Sequence, residues 1–197
     1  MAKRIFDVVL TLLSAPIVLP IMGVMAVVLA VELRGNPFFV QERIGLHGQP
    51  FRMWKLRTMR HARPGEEQDW TVADWDTYVF APAGQRDPRV TRWGEFARKT
   101  SIDELPNLWN VLKGEMSIVG PRPEIPEIVL QYPERYHRRH DVRPGIAGLA
   151  QASGRSDLTY DEIATYDLRY VDHHSVLTDI KILWRTAAIV LTGKGAR

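Results

Sequence analysis

The stretch Lys99-Thr-Ser-Ile-Asp-Glu-Leu-Pro106 sets two carboxylates, Asp103 and Glu104, side by side where a helix should begin. Acids are favoured in a first helical turn by the helix dipole, and Ser101 with Glu104 has the spacing of a capping box. The same pair has a second use. Two carboxylate oxygens can hold Mg²⁺ while water and phosphate complete its octahedron. That use requires cations and a phosphate cradle nearby. Gly120-Pro121-Arg122-Pro123 presents one guanidinium between two rigid prolines, and arginine grips phosphate oxygens bidentately. Lys55, Arg57, Arg98, Arg143 and Arg155 are further candidates. Singly, each reads as an ordinary solvated charge; as a set they would neutralise a diphosphate.

The elements that must position these groups come from a chain of 197 residues, which suits one compact domain with some appended structure. Hydrophobic residues make up 45%, crowded toward the N-terminus, so a true core is within reach. The net charge of +3 is too weak to argue for nucleic acid. Arginines nevertheless cluster at Arg135, Arg138, Arg139 and Arg143, and around Arg86, Arg89, Arg92 and Arg98. With no cysteine, disulfide frameworks, thiolate zinc sites and cysteine nucleophiles are excluded.

Val8 to Val31 carries no charge, and about 20 apolar residues suffice to cross a bilayer. The run is long for a cleavable signal and no small-x-small cleavage site follows it. Pro16 and Pro20 interrupt it, each removing a backbone donor. Basic residues flank both ends: Lys3 and Arg4 before, then Arg34, Arg43, Arg52, Lys55 and Arg57. The positive-inside rule would keep both flanks in the cytoplasm. Residue types alone leave a spanning helix and a re-entrant one open, the latter bent at Pro16 with Ser14 serving the freed backbone.

Beyond the anchor, Phe38-Phe39-Val40 and Phe51 to Leu56 predict two short strands around a turn at Gly45 to Pro50. Arg60 to Gln85 reads as a long mobile loop, with a short helix over Glu66 to Asp76. Helices are predicted over Thr91 to Lys99, from Ser101 to a stop at Gly114, from Pro126 to Arg139, and over Tyr160 to Tyr170. Turns are expected at Pro121, Pro123 and Arg143-Pro-Gly145. Leu177 to Leu191 is amphipathic and fits either the domain core or a bilayer surface.

Taken in order, these motifs resemble one family. Asp87-Pro-Arg-Val-Thr-Arg-Trp-Gly94 and Arg98 to Pro123 resemble the bacterial sugar transferases, the monotopic phosphoglycosyl transferases of glycoconjugate assembly. Lys3-Arg-Ile-Phe-Asp7, Trp54-Lys-Leu-Arg-Thr-Met59, Val142-Arg-Pro-Gly-Ile-Ala-Gly148 and Gly154-Arg155 fit the same pattern, over essentially the whole chain. The length matches the minimal form of the family.

The resemblance implies an α/β fold, mainly α with short strands. It divides into a re-entrant helix hairpin at 1–36 and a compact cytoplasmic catalytic domain at 37–197, with amphipathic interfacial helices. It implies transfer of a phospho-sugar from a UDP-sugar to undecaprenyl phosphate at the bacterial inner membrane, releasing UMP, as a first membrane step of glycan assembly. Asp103 would be the nucleophile forming a covalent aspartyl-phosphosugar, Glu104 its Mg²⁺-binding neighbour, and Arg122 a phosphate contact in the Pro-Arg-Pro loop. The family breaks its membrane helix near a Ser-Pro step. Here Ala15 precedes Pro16 and Ser14 stands one place earlier. A membrane-tethered adaptor with a basic, lipid-binding face is the rival class, and it leaves the Asp-Glu and Gly-Pro-Arg-Pro motifs without a purpose. The sugar is not specified, and the oligomeric state stays open, a homodimer included.

Overall fold

The computed structural model describes residues 1–66, 69–79, 87–154 and 158–192. The uncharged run folds as one helix, α1 (Ala2–Leu33), which continues through Pro16 and Pro20. It is long and apolar enough to cross a membrane. Just before Pro16, the Ser14 hydroxyl donates to the Thr11 carbonyl at 3.0 Å. The buried residues of α1 lie at its two ends, Asp7 and Thr11 at one and Met25 and Leu29 at the other. Between them the apolar side chains face outward: Leu13 is 72% and Ile17 68% exposed. Lys3 and Arg4, read above as topology signals, are also structural ties. Lys3 donates to the Val119 carbonyl and pairs with Asp179. Arg4 donates to the carbonyls of Val111 and Leu112. Asp7 accepts from the Ser117 hydroxyl at 2.9 Å and the Ile118 amide at 3.1 Å.

The predicted hairpin forms from β1 (Phe38–Ile44) and β2 (Pro50–Leu56), antiparallel, with Phe39 opposite Lys55 and Arg43 opposite Phe51. Opposed residues share a face and neighbours alternate. Arg43, Phe51, Met53 and Lys55 therefore share one face, and Phe38, Trp54 and Leu56 the other. Phe51 and Met53 enter the main core with Val111, Met116, Val119, Tyr170 and Ile182.

Helix α2 (Arg92–Lys99) begins as predicted, with the Thr91 hydroxyl accepting from the Gly94 amide. The helix expected from Ser101 is divided into a 3-10 turn at Ile102–Glu104 and α3 (Asn107–Lys113), with Pro106 at the junction. Proline lacks a donor and restricts the residue before it, which explains the break. The capping box does not form. The Ser101 side chain caps nothing and its backbone is left-handed, φ 58°, a conformation costing a non-glycine residue about 1–2 kcal/mol. Gly114, φ 86°, ends α3 as expected.

Two strands have no sequence signal because each is three residues long. β3 (Ser117–Val119) pairs in parallel with β4 (Gly145–Ala147). The strands lead into a close crossing: a Cβ on Gly120 would lie 2.3 Å from the Arg143 carbonyl oxygen, and one on Gly145 2.0 Å from the Gly120 nitrogen. The helix expected over Pro126 to Arg139 shortens to α4 (Pro126–Val129) and a 3-10 stretch at Glu134–Asp141, with Pro133 between them. Among the described residues of 66–76 the expected helix is absent. The described part of the 60–85 segment is not a free loop: Trp70, Val72, Trp75 and Tyr78 pack on Tyr132, Tyr136 and Tyr160. Helix α5 (Tyr160–His173) carries a complete capping box between Thr159 and Glu162. Helix α6 (Val176–Thr192) buries Asp179 and Ile182 and leaves Leu177, Ile180 and Trp184 exposed.

Candidate active site

Glu104 is drawn away from its expected cap by two cations. Lys55, reaching over from β2, lies 3.3 Å from its Oε1, and Arg122 lies 2.8 Å from the same oxygen. Asp103 makes no hydrogen bond or ion pair among the described residues. Arg98 faces it from α2, its Nε donating to the Thr58 hydroxyl at 2.9 Å. The neighbouring carboxylates are thus in different electrostatic states. Burial, then the charge of Glu104, raises Asp103 to about 6, while Lys55, Arg122 and Arg98 pull it partly back. Burial would raise Glu104 as well, but Arg122 and Lys55 outweigh it and hold that carboxyl at about 2. Lys55 is lowered to about 8 by burial and by the charge of Arg122. Adjacent acids pushed apart in this way can take different chemical roles.

The arm carrying Arg122 is held from behind. The Gly120 amide donates to the Ala147 carbonyl at 2.9 Å, and the Gly145 amide to the Pro121 carbonyl at 2.8 Å. Thus the Arg143-Pro-Gly145 turn is the seat of the Gly-Pro-Arg-Pro loop. On the other side the Arg139 guanidinium donates to the Arg122 carbonyl at 3.1 Å and pairs with buried Asp167 at 2.7 Å. It also donates to the hydroxyls of Tyr132 and Tyr160, and Trp75 meets both of those rings edge-on.

Lys55, Arg98, Asp103, Glu104 and Arg122 are therefore brought together. Two other candidates are placed elsewhere. Arg143 donates through Nε to the Gly114 carbonyl at 2.8 Å; with Arg4 it satisfies the carbonyl end of α3, where cations are favoured. Arg57 lies 3.0 Å from His61 and makes no contact with the carboxylate pair among the described residues. Arg155 lies outside the described residues. Ser14 and Pro16 lie in the outward-facing middle of α1. Two residues escaped sequence reasoning. Arg43 donates to the Pro123 carbonyl at 3.2 Å and pairs with buried Glu124 at 3.6 Å; strand alternation from Lys55 across the hairpin could have found it. Arg139 gave no such signal, being one arginine in a charged run.

Asp103 and Glu104 could hold a metal only jointly with substrate. No group of three or more His, Cys, Asp or Glu side chains suited to a metal occurs among the described residues. Mg²⁺ in phosphate chemistry uses one or two carboxylates and takes its remaining ligands from phosphate and water. Asp103 and Glu104 are the carboxylates that could supply those one or two ligands.

The whole-chain pattern decides the affiliation: residues 1–193 match the model of the family described as bacterial sugar transferase. The chain belongs to that family. It is 41% identical over 200 residues to the galactosyl transferase CpsE of Streptococcus agalactiae, covering 100% of this chain and 43% of the relative. It is 39% identical over 196 residues to the uncharacterized sugar transferase EpsL of Bacillus subtilis, covering 98% and 89%. With the UDP-glucose:undecaprenyl-phosphate glucose-1-phosphate transferase of Escherichia coli it shares 38% identity over 202 residues, covering 98% and 41%. The chain thus spans less than half the length of CpsE and the E. coli enzyme, and most of EpsL. Among sugar transferases, then, this chain carries its Asp-Glu pair, Lys55, Arg98 and Arg122 in one cluster.

Proposed function

We propose that this sugar transferase moves a phospho-sugar from a UDP-sugar to a polyprenyl phosphate, by way of an aspartyl-phosphosugar on Asp103. The observation that carries the reading is the contrast within the pair. Glu104 is locked to Lys55 and Arg122, while Asp103 has no hydrogen-bond or ion-pair partner among the described residues. An unpaired carboxylate beside three cations suits a nucleophile aimed at a diphosphate.

An Asp103 Oδ attacks the β-phosphorus, and the bond from that phosphorus to the bridging oxygen breaks. Its electron pair leaves on UMP. A phosphate oxygen of the acceptor then attacks the same phosphorus, and the Asp103 oxygen departs with its bonding pair. Arg122, Lys55 and Arg98 hold the phosphate oxygens and oppose the charge that spreads over them during each displacement. Mg²⁺, held by Glu104 and Asp103, would neutralise diphosphate charge and ease the departure of UMP. Dividing the transfer in two lets one small site serve a polar donor and a lipid acceptor in turn.

The anchor reading is monotopic, with the body on the cytoplasmic face of the inner membrane. What supports it is that both ends of α1 rest on one body: Asp7 on β3, and Met25 and Leu29 with Leu56 and Ala97. A helix that crossed the bilayer could not bring its far end back to the same surface. Pro16 and Pro20 stand in the outward-facing stretch, where a bend in the bilayer would let the helix dip in and return.

The test is UMP release by the protein in nanodiscs, with a panel of UDP-sugars, undecaprenyl phosphate and Mg²⁺. Release that requires metal and acceptor supports the reading; no release from any donor contradicts it.

A further inference from the structure

On the far side of the hairpin from Lys55 lies an apolar recess of about 240 Å³, lined by Met22, Phe38, Trp54, Pro106 and Trp109. Met22 belongs to the anchor helix. Pro106 follows Asp103 by three residues, and Trp54 directly precedes Lys55. Trp109 is 58% and Phe38 37% exposed, so the recess opens outward. Ile102, adjacent to Asp103, packs against the same end of the anchor as Met25 and Leu29. The recess therefore joins the apolar surface of α1 to the turn that carries the carboxylate pair.

Two more exposed aromatics, Trp93 at 43% and Phe96 at 45%, stand on α2, which packs on that end of the helix through Ala97. The Trp93 amide donates to Glu32, near the end of α1, at 3.3 Å. Aromatic rings gather where a protein meets the headgroup level of a bilayer, which would set the mouth of the recess at the membrane surface. A water-soluble donor has no use for five apolar walls. A lipid whose phosphate must reach Asp103 has a use for them, since Lys55, Arg98 and Arg122 attract its head while the recess receives its tail.

The geometry points to this recess as the seat of the first isoprene units of the acceptor, with Trp109 and Phe38 as its outer walls. The inference rests on the polyprenyl phosphate reading above and assigns the lipid a place. A phospholipid acyl chain is the competing occupant, and the experiment separates the two.

The probe is farnesyl phosphate carrying a diazirine on its first isoprene unit, photolysed with the full chain in phosphatidylethanolamine–phosphatidylglycerol nanodiscs. We expect labelled peptides containing Trp109 or Phe38. Undecaprenyl phosphate should displace the label, and the same amount of added phosphatidylglycerol should not. Trp109→Ala should cut labelling roughly tenfold, as expected for loss of one aromatic wall. Phe38→Ala, on a separate element, should repeat the loss if the first variant folds poorly. Label found elsewhere, or displaced equally by phosphatidylglycerol, overturns the assignment. Labelling needs no turnover. Label in the recess of a protein that releases no UMP would uphold the recess and retire the reaction.

Discussion

The Arg122 guanidinium lies 2.8 Å from Glu104, and the backbone carbonyl of the same Arg122 accepts from buried Arg139. One residue thus links the carboxylate pair to the interior of the domain. If Arg122 also meets substrate phosphate, Arg122→Ala lowers kcat roughly 100- to 1000-fold, the usual cost of losing one transition-state donor. The fold should survive, since the Arg122 side chain is 39% exposed. Steady-state UMP release together with a thermal melt checks both halves.

Arg139 should behave differently. Its guanidinium is fully enclosed and faces Asp167, Tyr132 and Tyr160. Removing one member of a buried ion pair strands the other, at a cost of about 3–5 kcal/mol. Arg139→Met should therefore lower the melting temperature strongly in a denaturation series. Unchanged stability would mean that this network does not hold the Arg122 loop.

How much of this was legible beforehand depends on the range of each signal. The hairpin was readable because Phe51, Met53 and Lys55 alternate around a Gly- and Pro-containing turn. The start of α2 was readable because its cap, Thr91, is local. Ser101 and Glu104 formed an equally good local pattern, yet no box forms. The groups that capture Glu104 come from Lys55 and Arg122, distant in sequence, and a local pattern cannot anticipate them. Arg143 was misplaced for a related reason. Its charge suits phosphate, but its neighbour in space is the open carbonyl end of α3. Strands of three residues leave no period to detect, so the parallel β3–β4 pair that seats the Pro-Arg-Pro loop was invisible.

The anchor yields a prediction that exploits the absence of cysteine. Single cysteines at Ala2 and Asn36 should both react with an impermeant maleimide only from the cytoplasmic face of inverted vesicles. Labelling of the two positions from opposite faces would contradict the monotopic reading. Pro16→Ala, which restores a backbone donor and removes a clash, should shift part of the population toward a spanning helix.

His140 predicts a pH response of stability. Burial, reinforced by the Arg139 charge, lowers its imidazole to about 4, below its ordinary 6.5. The unfolded chain therefore takes up a proton between those values that the folded chain refuses. Its contribution to stability is fully present above pH 6.5 and is lost as pH falls toward 4. His140→Phe, which keeps a ring stacked beside Tyr132, should flatten the acid side of a plot of unfolding free energy against pH. An unchanged slope would remove His140 as its source.

The most direct test of the central claim is intact-protein mass spectrometry after incubation with UDP-sugar and Mg²⁺, without acceptor. The account predicts an added mass of one phospho-sugar on the wild type, mapped to Asp103 and discharged when polyprenyl phosphate is supplied. Asp103→Asn should carry no adduct and show no turnover. Near-normal transfer by Asp103→Asn, or a stable adduct on a different residue, would contradict it.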